Sequence, residues 1–273
     1  MQQMIEKATN LPSIPEVVQK LIASMNDDDV STEKLANIIT SDQAITAKVL
    51  RLANSARYGG QRKVGSVKDA LVVLGRDALR TLVLSIGLVS SFKAPPSFDL
   101  KAYWRRSFML ANRAKWLAKL LKVDAEVAYT CGLLHGIGEY LIHIVKPDLA
   151  QVIDQQVAAG APRRKTEQEL FGFDYTTAGS ELAKYWKFPD EIADAILWQQ
   201  QPAGSGVLLP FASLIYLSRY MINHNEKVKD GVFDDFPVKL IHASHLSLEA
   251  VYARMTDFTE DDDDIMAMLL HNE

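Results

Sequence analysis

Apolar residues recur along this chain at helical spacing, and no segment alternates convincingly with the two-residue period of a strand. Pro12, Ser13 and Pro15 set up a first helix whose stripe is Val17, Val18, Leu21 and Ile22. Ser31 opens a second, with Leu35, Ile38 and Ile39 turned inward. Asp42 caps a third, with Ile45, Val49, Leu52, Ala53 and Ala56 on one face and Tyr58-Gly59-Gly60 at its end. Ser66 and Asp69 resemble a capping box for a short helix that stops at Gly75. Asp77 is read as the cap of an apolar helix running to about Ser91.

The Pro-rich stretch Lys93-Ala94-Pro95-Pro96-Ser97 breaks the pattern. Beyond it, Leu100 to Lys122 reads as a long amphipathic helix with a basic outer face of Arg105, Arg106, Arg113, Lys115, Lys119 and Lys122. Asp124 caps a nearly all-apolar helix expected to run through Val145, which places it centrally. Pro147 starts the next helix, and Gly160-Ala161-Pro162 forms a turn. Arg163-Arg164-Lys165-Thr166 then leads into a helix from Glu167. Helices are also expected over Thr176 to Tyr185, from Pro189 to about Gln199, and over Leu208 to Asn223. Residues 224–245 read as irregular, followed by a helix from Leu248 to Met255 and a last one from Ile265 to Leu270. The fold class is all-α. The expected division is an N-terminal helical subdomain over 1–94, a helical core over 95–223 and a C-terminal helical extension over 224–273.

Composition narrows this without changing it. Of 273 residues, 48% are apolar and 23% charged, as in ordinary globular proteins. No apolar run reaches the roughly 18 residues of a membrane span, and the N-terminus lacks signal-peptide features, so no membrane association is expected. A single cysteine, Cys131, permits no intrachain disulfide and fits a reducing, cytoplasmic location. It lies on the central apolar helix and reads as a buried small hydrophobe rather than a nucleophile. Net charge is −4 but uneven: residues 1–125 carry 19 Lys/Arg against 11 Asp/Glu. That excess is too thin for nucleic-acid binding without a recognisable reading motif. Glu260 to Asp264 lacks the alternating ligands of a calcium loop and is better placed as the start of the last helix. His242 and His245 have no third ligand nearby and read as surface residues.

The run from Leu35 through Ser41-Asp42-Gln43-Ala44-Ile45 to Arg51-Leu52-Ala53-Asn54-Ser55-Ala56 closely resembles the HDOD family, the HD-related output domains of bacterial signalling proteins. Leu11-Pro12-Ser13-Ile14-Pro15, Val67 to Gly75 and Cys131 to Glu139 extend the resemblance in order, over roughly residues 11–220. It implies an N-terminal helical bundle packed on a core like that of the HD metal-dependent phosphohydrolases. It also implies a usually non-catalytic domain.

The resemblance can be followed to the metal site residue by residue. Metal-assisted phosphoester hydrolysis needs several fixed ligands and an open water position. The first ligand position of the HD enzymes corresponds to Arg106, which has no lone pair to give. The His-Asp pair corresponds to His135 and Gly136, so the imidazole is kept and the carboxylate lost. Further ligand positions fall at Tyr175, at Gln199 and Gln200, and at Ser218. The expectation is therefore a lost metal site, no metal, no cofactor and no catalytic residue. Such a domain would relay signals by contacting as yet unidentified signalling proteins. The alternative is a divergent metal-dependent phosphohydrolase acting on a nucleotide, its site rebuilt by Glu139 or Asp174. In a third reading, Arg105, Arg106, His135 and the glutamines line a pocket for an anion or nucleotide. Asn54 and Ser55 are read chiefly as local helix-end bonds, with partner contact as the other role.

Overall fold

The structure is a computed structural model and describes residues 13–26, 30–55, 63–224 and 237–253. These residues form helices joined by turns and irregular loops, with no strand among them. They divide into two compact units: 13–93 with 186–189, and 94–185 with 190–224 and 237–253. No helix among them is long and apolar enough to cross a membrane.

In the first unit, α1 (Glu16–Ala23) buries Val17, Val18, Leu21 and Ile22, the stripe its spacing predicts. The Ser31 side chain accepts from the Lys34 N–H and starts α2 (Thr32–Thr40), which buries Leu35, Ala36 and Ile39 and leaves Ile38 half-buried. Asp42 accepts from the Ile45 N–H and starts α3 (Gln43–Ala53). That helix ends three residues short of Ala56, which with Tyr58-Gly59-Gly60 lies outside the described residues. The capping box forms at α4 (Val67–Leu74). Ser66 Oγ accepts from the Asp69 N–H, and Asp69 Oδ2 accepts from the Gly65 N–H and from Ser66 Oγ. Gly75 takes φ +82° between α4 and α5 (Arg76–Ser91), a conformation that suits glycine. Asp77 therefore does not cap α5. It lies inside the first turn, where its charge favours the helix N-terminus, and its carboxylate pairs with Arg76.

The second unit is built on α6 (Leu100–Leu121), which packs along α7 (Ala125–Leu134). Three expectations change here. The helix expected from Asp124 to Val145 is two helices, because the chain leaves helical geometry at Gly136 (φ −99°, ψ 8°) and restarts as α8 (Ile137–Val145). A continuous apolar run reports burial, not helix continuity. Arg113 is not on an outer face: it is 3% exposed, and its Nη1 donates to the Met109 carbonyl. The helix expected from Glu167 begins four residues earlier, where Pro162 precedes α10 (Arg163–Phe171) and its carbonyl accepts from the Thr166 N–H.

α9 (Pro147–Ala158) bridges α8 and α10. Then α11 (Tyr175–Tyr185), α12 (Asp190–Trp198) and α13 (Pro210–Asn223) close the unit around α6, α7 and α8. α14 (Val238–Ala243) lies in a stretch expected to be irregular. With α15 (Leu248–Tyr252) it puts Ile241, Leu246 and Val251 into the same apolar cluster as Leu117, Ala128 and Leu217. Burial of that aliphatic surface, on the order of 2 kcal/mol per side chain, is what holds two such short helices in place. His242 and His245 are exposed, as expected. The Glu260 to Asp264 run and the last expected helix lie outside the described residues.

Two glycines set helix spacing. A Cβ on Gly132 would lie 2.6 Å from Ala111 Cα, so α7 and α6 cross backbone to backbone. A Cβ on Gly138 would strike the Tyr175 carbonyl oxygen and come within 2.6 Å of the Gly179 nitrogen. α8 and α11 therefore meet at their main chains, which fixes where Tyr175 begins its helix.

Candidate functional site

Four of the positions matched to ligands of the HD enzymes, Arg106, His135, Tyr175 and Gln200, converge. A cavity of about 350 Å³ in the second unit is lined by Arg106 from α6, His135 from the end of α7, Glu139 from α8, Tyr175 from α11 and Gln200 just past α12. Arg163 and Arg164 of α10 and Arg219 of α13 complete its charged wall. A larger depression of about 810 Å³ in the first unit is lined by the exposed side chains of Lys20, Glu33, Lys34 and Asn37, which make no converging set.

Each polar group in the cavity is held by another. Arg106 Nη2 donates to Glu139 Oε2 at 2.7 Å. Burial pushes the Glu139 carboxyl up. The guanidinium groups of Arg106, Arg163 and Arg219 outweigh that and hold it below the usual carboxylate range. Tyr175 is buried, and its hydroxyl oxygen accepts from Gln200 Nε2 at 2.6 Å and from Arg219 Nη1 at 2.9 Å. Gln199 Nε2 donates to the carbonyls of His135 and Ile196, both at 2.8 Å, and its Oε1 accepts from Arg219 Nη2. Arg163 donates to Asp154 Oδ1 at 2.5 Å and more loosely to Glu167 Oε1 at 3.4 Å. Arg164 Nε donates to Asp174 Oδ2 at 2.6 Å.

His135 is 2% exposed, and its Nδ1 lies 2.8 Å from the Gly132 carbonyl. A carbonyl can only accept, so Nδ1 carries the proton and Nε2 keeps its lone pair. Burial, then the charges of Arg219 and Arg106, lower its pKa to about 3, so the ring is neutral at physiological pH. Beside it, a Cβ at 136 would stand 3.2 Å from Tyr103 Cε2, a tight contact that a small shift of the Tyr103 ring relieves.

These residues do not suit a divalent cation. His135 offers one neutral nitrogen, and Glu139 offers a carboxylate already tied to Arg106. Four guanidinium groups line the same space and repel a metal ion. Among the described residues no group of three or more His, Cys, Asp or Glu could hold a metal. Asp174, which could have rebuilt a site, caps α11 instead. Its Oδ1 accepts from the N–H groups of Thr176 and Thr177, and its Oδ2 faces Arg164.

Of the residues singled out in the sequence, Arg106, His135, Tyr175 and Gln200 line the cavity. Gln199 is buried behind them and orients Arg219, Gly136 lies beneath the Tyr103 ring, and Ser218 is buried. Arg105 is exposed and is not part of the cavity wall. It is adjacent to Arg106 in sequence, but one residue turns about 100° around a helix. Arg219, one residue beyond Ser218, reaches the cavity, and sequence reasoning missed it. Its only signal was a lone arginine in an otherwise apolar helix. Cys131 is fully buried, and burial raises its thiol pKa well above normal, so it is no nucleophile. Asn54 ties the end of α3 to the following segment: Nδ2 donates to the Leu50 and Val64 carbonyls and Oδ1 accepts from the Val64 N–H. Ser55 is half-buried beside it.

Glu167 stands behind this wall and is fully buried, accepting the Tyr175 N–H at 2.7 Å. Burial raises its pKa to about 7 from 4.5. The fold thus binds a proton that the unfolded chain releases between these values, so stability falls as pH rises from 4.5 through 7. Glu167→Gln is expected to gain, relative to the parent chain, on the order of 3 kcal/mol between pH 5 and pH 8. Urea denaturation at the two pH values checks this, and an unchanged difference would show an ordinary carboxyl.

The HDOD domain matches residues 11–202. The "putative phosphohydrolase" of Shewanella amazonensis SB2B superposes with a TM-score of 0.85 at 29% identity, over 97% of each chain. The "putative signal transduction protein" of Marinobacter aquaeolei VT8 superposes with a TM-score of 0.78 at 25% identity, over 98% of this chain and 63% of that one. An HDOD domain protein of unknown function from Geobacter sulfurreducens, 24% identical, shares the fold with a TM-score of 0.80 over 98% of this chain and 95% of that one. A curated relative from Treponema pallidum (strain Nichols), an uncharacterized protein, is 24% identical over 194 residues, or 70% of this chain, which spans only 38% of that protein's length.

Proposed function

Because this chain belongs to the HDOD domain family, we propose that it is a non-enzymatic signal-transduction module that acts in the cytoplasm by contacting other proteins. The observation that carries this reading is the Arg106–Glu139 pair. By the resemblance Arg106 takes the place of the first metal ligand, and the pair uses the one carboxylate among the residues lining the cavity. Phosphoester hydrolysis without a metal would need a nucleophile or a free general base. The wall offers a buried imidazole whose pKa of about 3 makes it a weak base, a tyrosine hydroxyl, and a carboxylate already bonded to Arg106. The likeness to the "putative signal transduction protein" of Marinobacter supports the same direction. Contact surface is available on α4, where Val72 is 79% exposed and Val73 lies beside it.

A second reading, a divergent phosphohydrolase, draws on the likeness to the Shewanella protein along nearly its whole length. Titration calorimetry with Mn²⁺ and Zn²⁺ separates the two. The module reading predicts no saturable binding up to about 1 mM, a weak-binding limit. Tight binding that His135→Ala abolishes would favour the hydrolase.

A further inference from the structure

We propose that the cavity formed by α6, α7, α8, α10, α11 and α13 binds a small organic phosphate, gripped by Arg219 and the Tyr175 hydroxyl. The proposal rests on the reading above, in that the phosphate is held by cations of the chain and not by a metal.

Four guanidinium groups and one carboxylate line the cavity. Three of the four are anchored by carboxylates. Glu139 holds Arg106, Asp154 and Glu167 hold Arg163, and Asp174 holds Arg164. Asp154, Glu167 and Asp174 do not line the cavity, so they hold Arg163 and Arg164 from outside it. Arg219 differs. It is half-buried, and the partners seen among the described residues are neutral, the Tyr175 hydroxyl and Gln199 Oε1. The one carboxylate lining the cavity, Glu139, feels the charge of Arg219 but is hydrogen-bonded to Arg106, and a partly desolvated cation with no carboxylate bonded to it favours an anion beside it. A guanidinium has five N–H donors, and these two bonds leave donors for a ligand.

Tyr175 adds a second, independent feature. Its oxygen already accepts two hydrogen bonds, so its own proton is left to donate, and the residue lines the cavity. Both groups are pre-positioned. Gln199 is fixed by two backbone carbonyls and so aims its Oε1 at Arg219, while the Tyr175 N–H is held by Glu167. Fixed donors of this kind lose little entropy on binding. The volume of about 350 Å³ is at the small end of ligand pockets, and it leaves room for an organic body beyond the phosphate.

Calorimetry of the full chain, free of metal and at low salt, tests this with inorganic phosphate, AMP, ribose 5-phosphate and adenosine. The expected result is saturable binding of AMP and inorganic phosphate at or below about 1 mM, and none of adenosine. Ribose 5-phosphate binding as well as AMP would assign recognition to the phosphate and sugar, and weaker binding would assign part of it to the base. Arg219→Ala is expected to weaken binding at least about tenfold, with Arg219→Lys recovering part of the loss. Should Arg219→Ala fail to fold, Tyr175→Phe serves instead, with binding again weakened. No saturation by any phosphate probe, or folded variants that bind as the parent does, would overturn the site. Phosphate released from AMP on adding Mn²⁺ would instead sink the non-enzymatic reading and leave the site standing.

Discussion

Gly138→Ala is expected to cost at least about 4 kcal/mol and to leave little folded protein at ordinary temperature. The added Cβ would collide with the Tyr175 carbonyl oxygen and stand 2.6 Å from the Gly179 nitrogen and 2.8 Å from the Tyr175 carbonyl carbon. All three are main-chain atoms of α11, so no side chain can rotate away. Relief requires α8 and α11 to separate, which would pull apart the buried faces carrying Ile142, Tyr175, Ala178 and Leu182. Losses of this size are exceptional and point to a named steric cause. Gly65→Ala is the matched control. A Cβ there has Asp69 Oδ2 at 3.6 Å, an ordinary contact, and its cost should stay below about 1 kcal/mol. Urea denaturation of both variants decides. Equal behaviour would mean that α8 and α11 do not cross at contact distance.

The second large effect is acid lability from His135. Its pKa falls from 6.5 to about 3 on folding, because burial and the charges of Arg219 and Arg106 oppose a second proton. In the unfolded chain the ring protonates freely below 6.5. The unfolded state therefore binds more protons in this window, and stability is lost as pH falls from 6.5 toward 3. The contribution is on the order of 4 kcal/mol. His135→Asn keeps a donor for the Gly132 carbonyl but cannot titrate. It should be less stable than the parent at pH 7 and should lose stability less steeply toward pH 4. A variant whose stability falls as steeply as the parent's would show that His135 is not held neutral in the fold.

Much of the fold was legible because it rests on local rules. Ser31, Asp42, Ser66 and Asp124 each accept from an N–H in the first turn of the helix they precede. Those starts follow from side-chain chemistry alone. What was not legible depends on tertiary packing. The break at His135 and Gly136 is hidden inside an apolar run, since every residue from Ala128 to Ile137 is buried whichever way the chain turns. Arg113 reads as a surface cation until its bond to the Met109 carbonyl is seen. The short helix from Arg163 is mostly polar, and its inward residues are Thr166 and Glu167, which carry no hydrophobic signal.

The candidate site divides the same way. The resemblance to the family located Arg106, His135, Tyr175 and Gln200, and the fold brings them to one cavity. It did not reveal Arg163 or Arg219, whose places depend on how α10 and α13 meet that cavity. Nor did it reveal that Glu139 is tied to Arg106, because a pair 33 residues apart has no local pattern.

The proposed function requires that this arginine-rich cavity hold no catalytic metal and do no hydrolysis. The most direct measurement is elemental analysis of protein purified without chelator, paired with a phosphodiesterase assay in Mn²⁺ on the same sample. No stoichiometric metal and no turnover above buffer are expected. Near-stoichiometric metal, with turnover that His135→Ala abolishes, would contradict the proposed function.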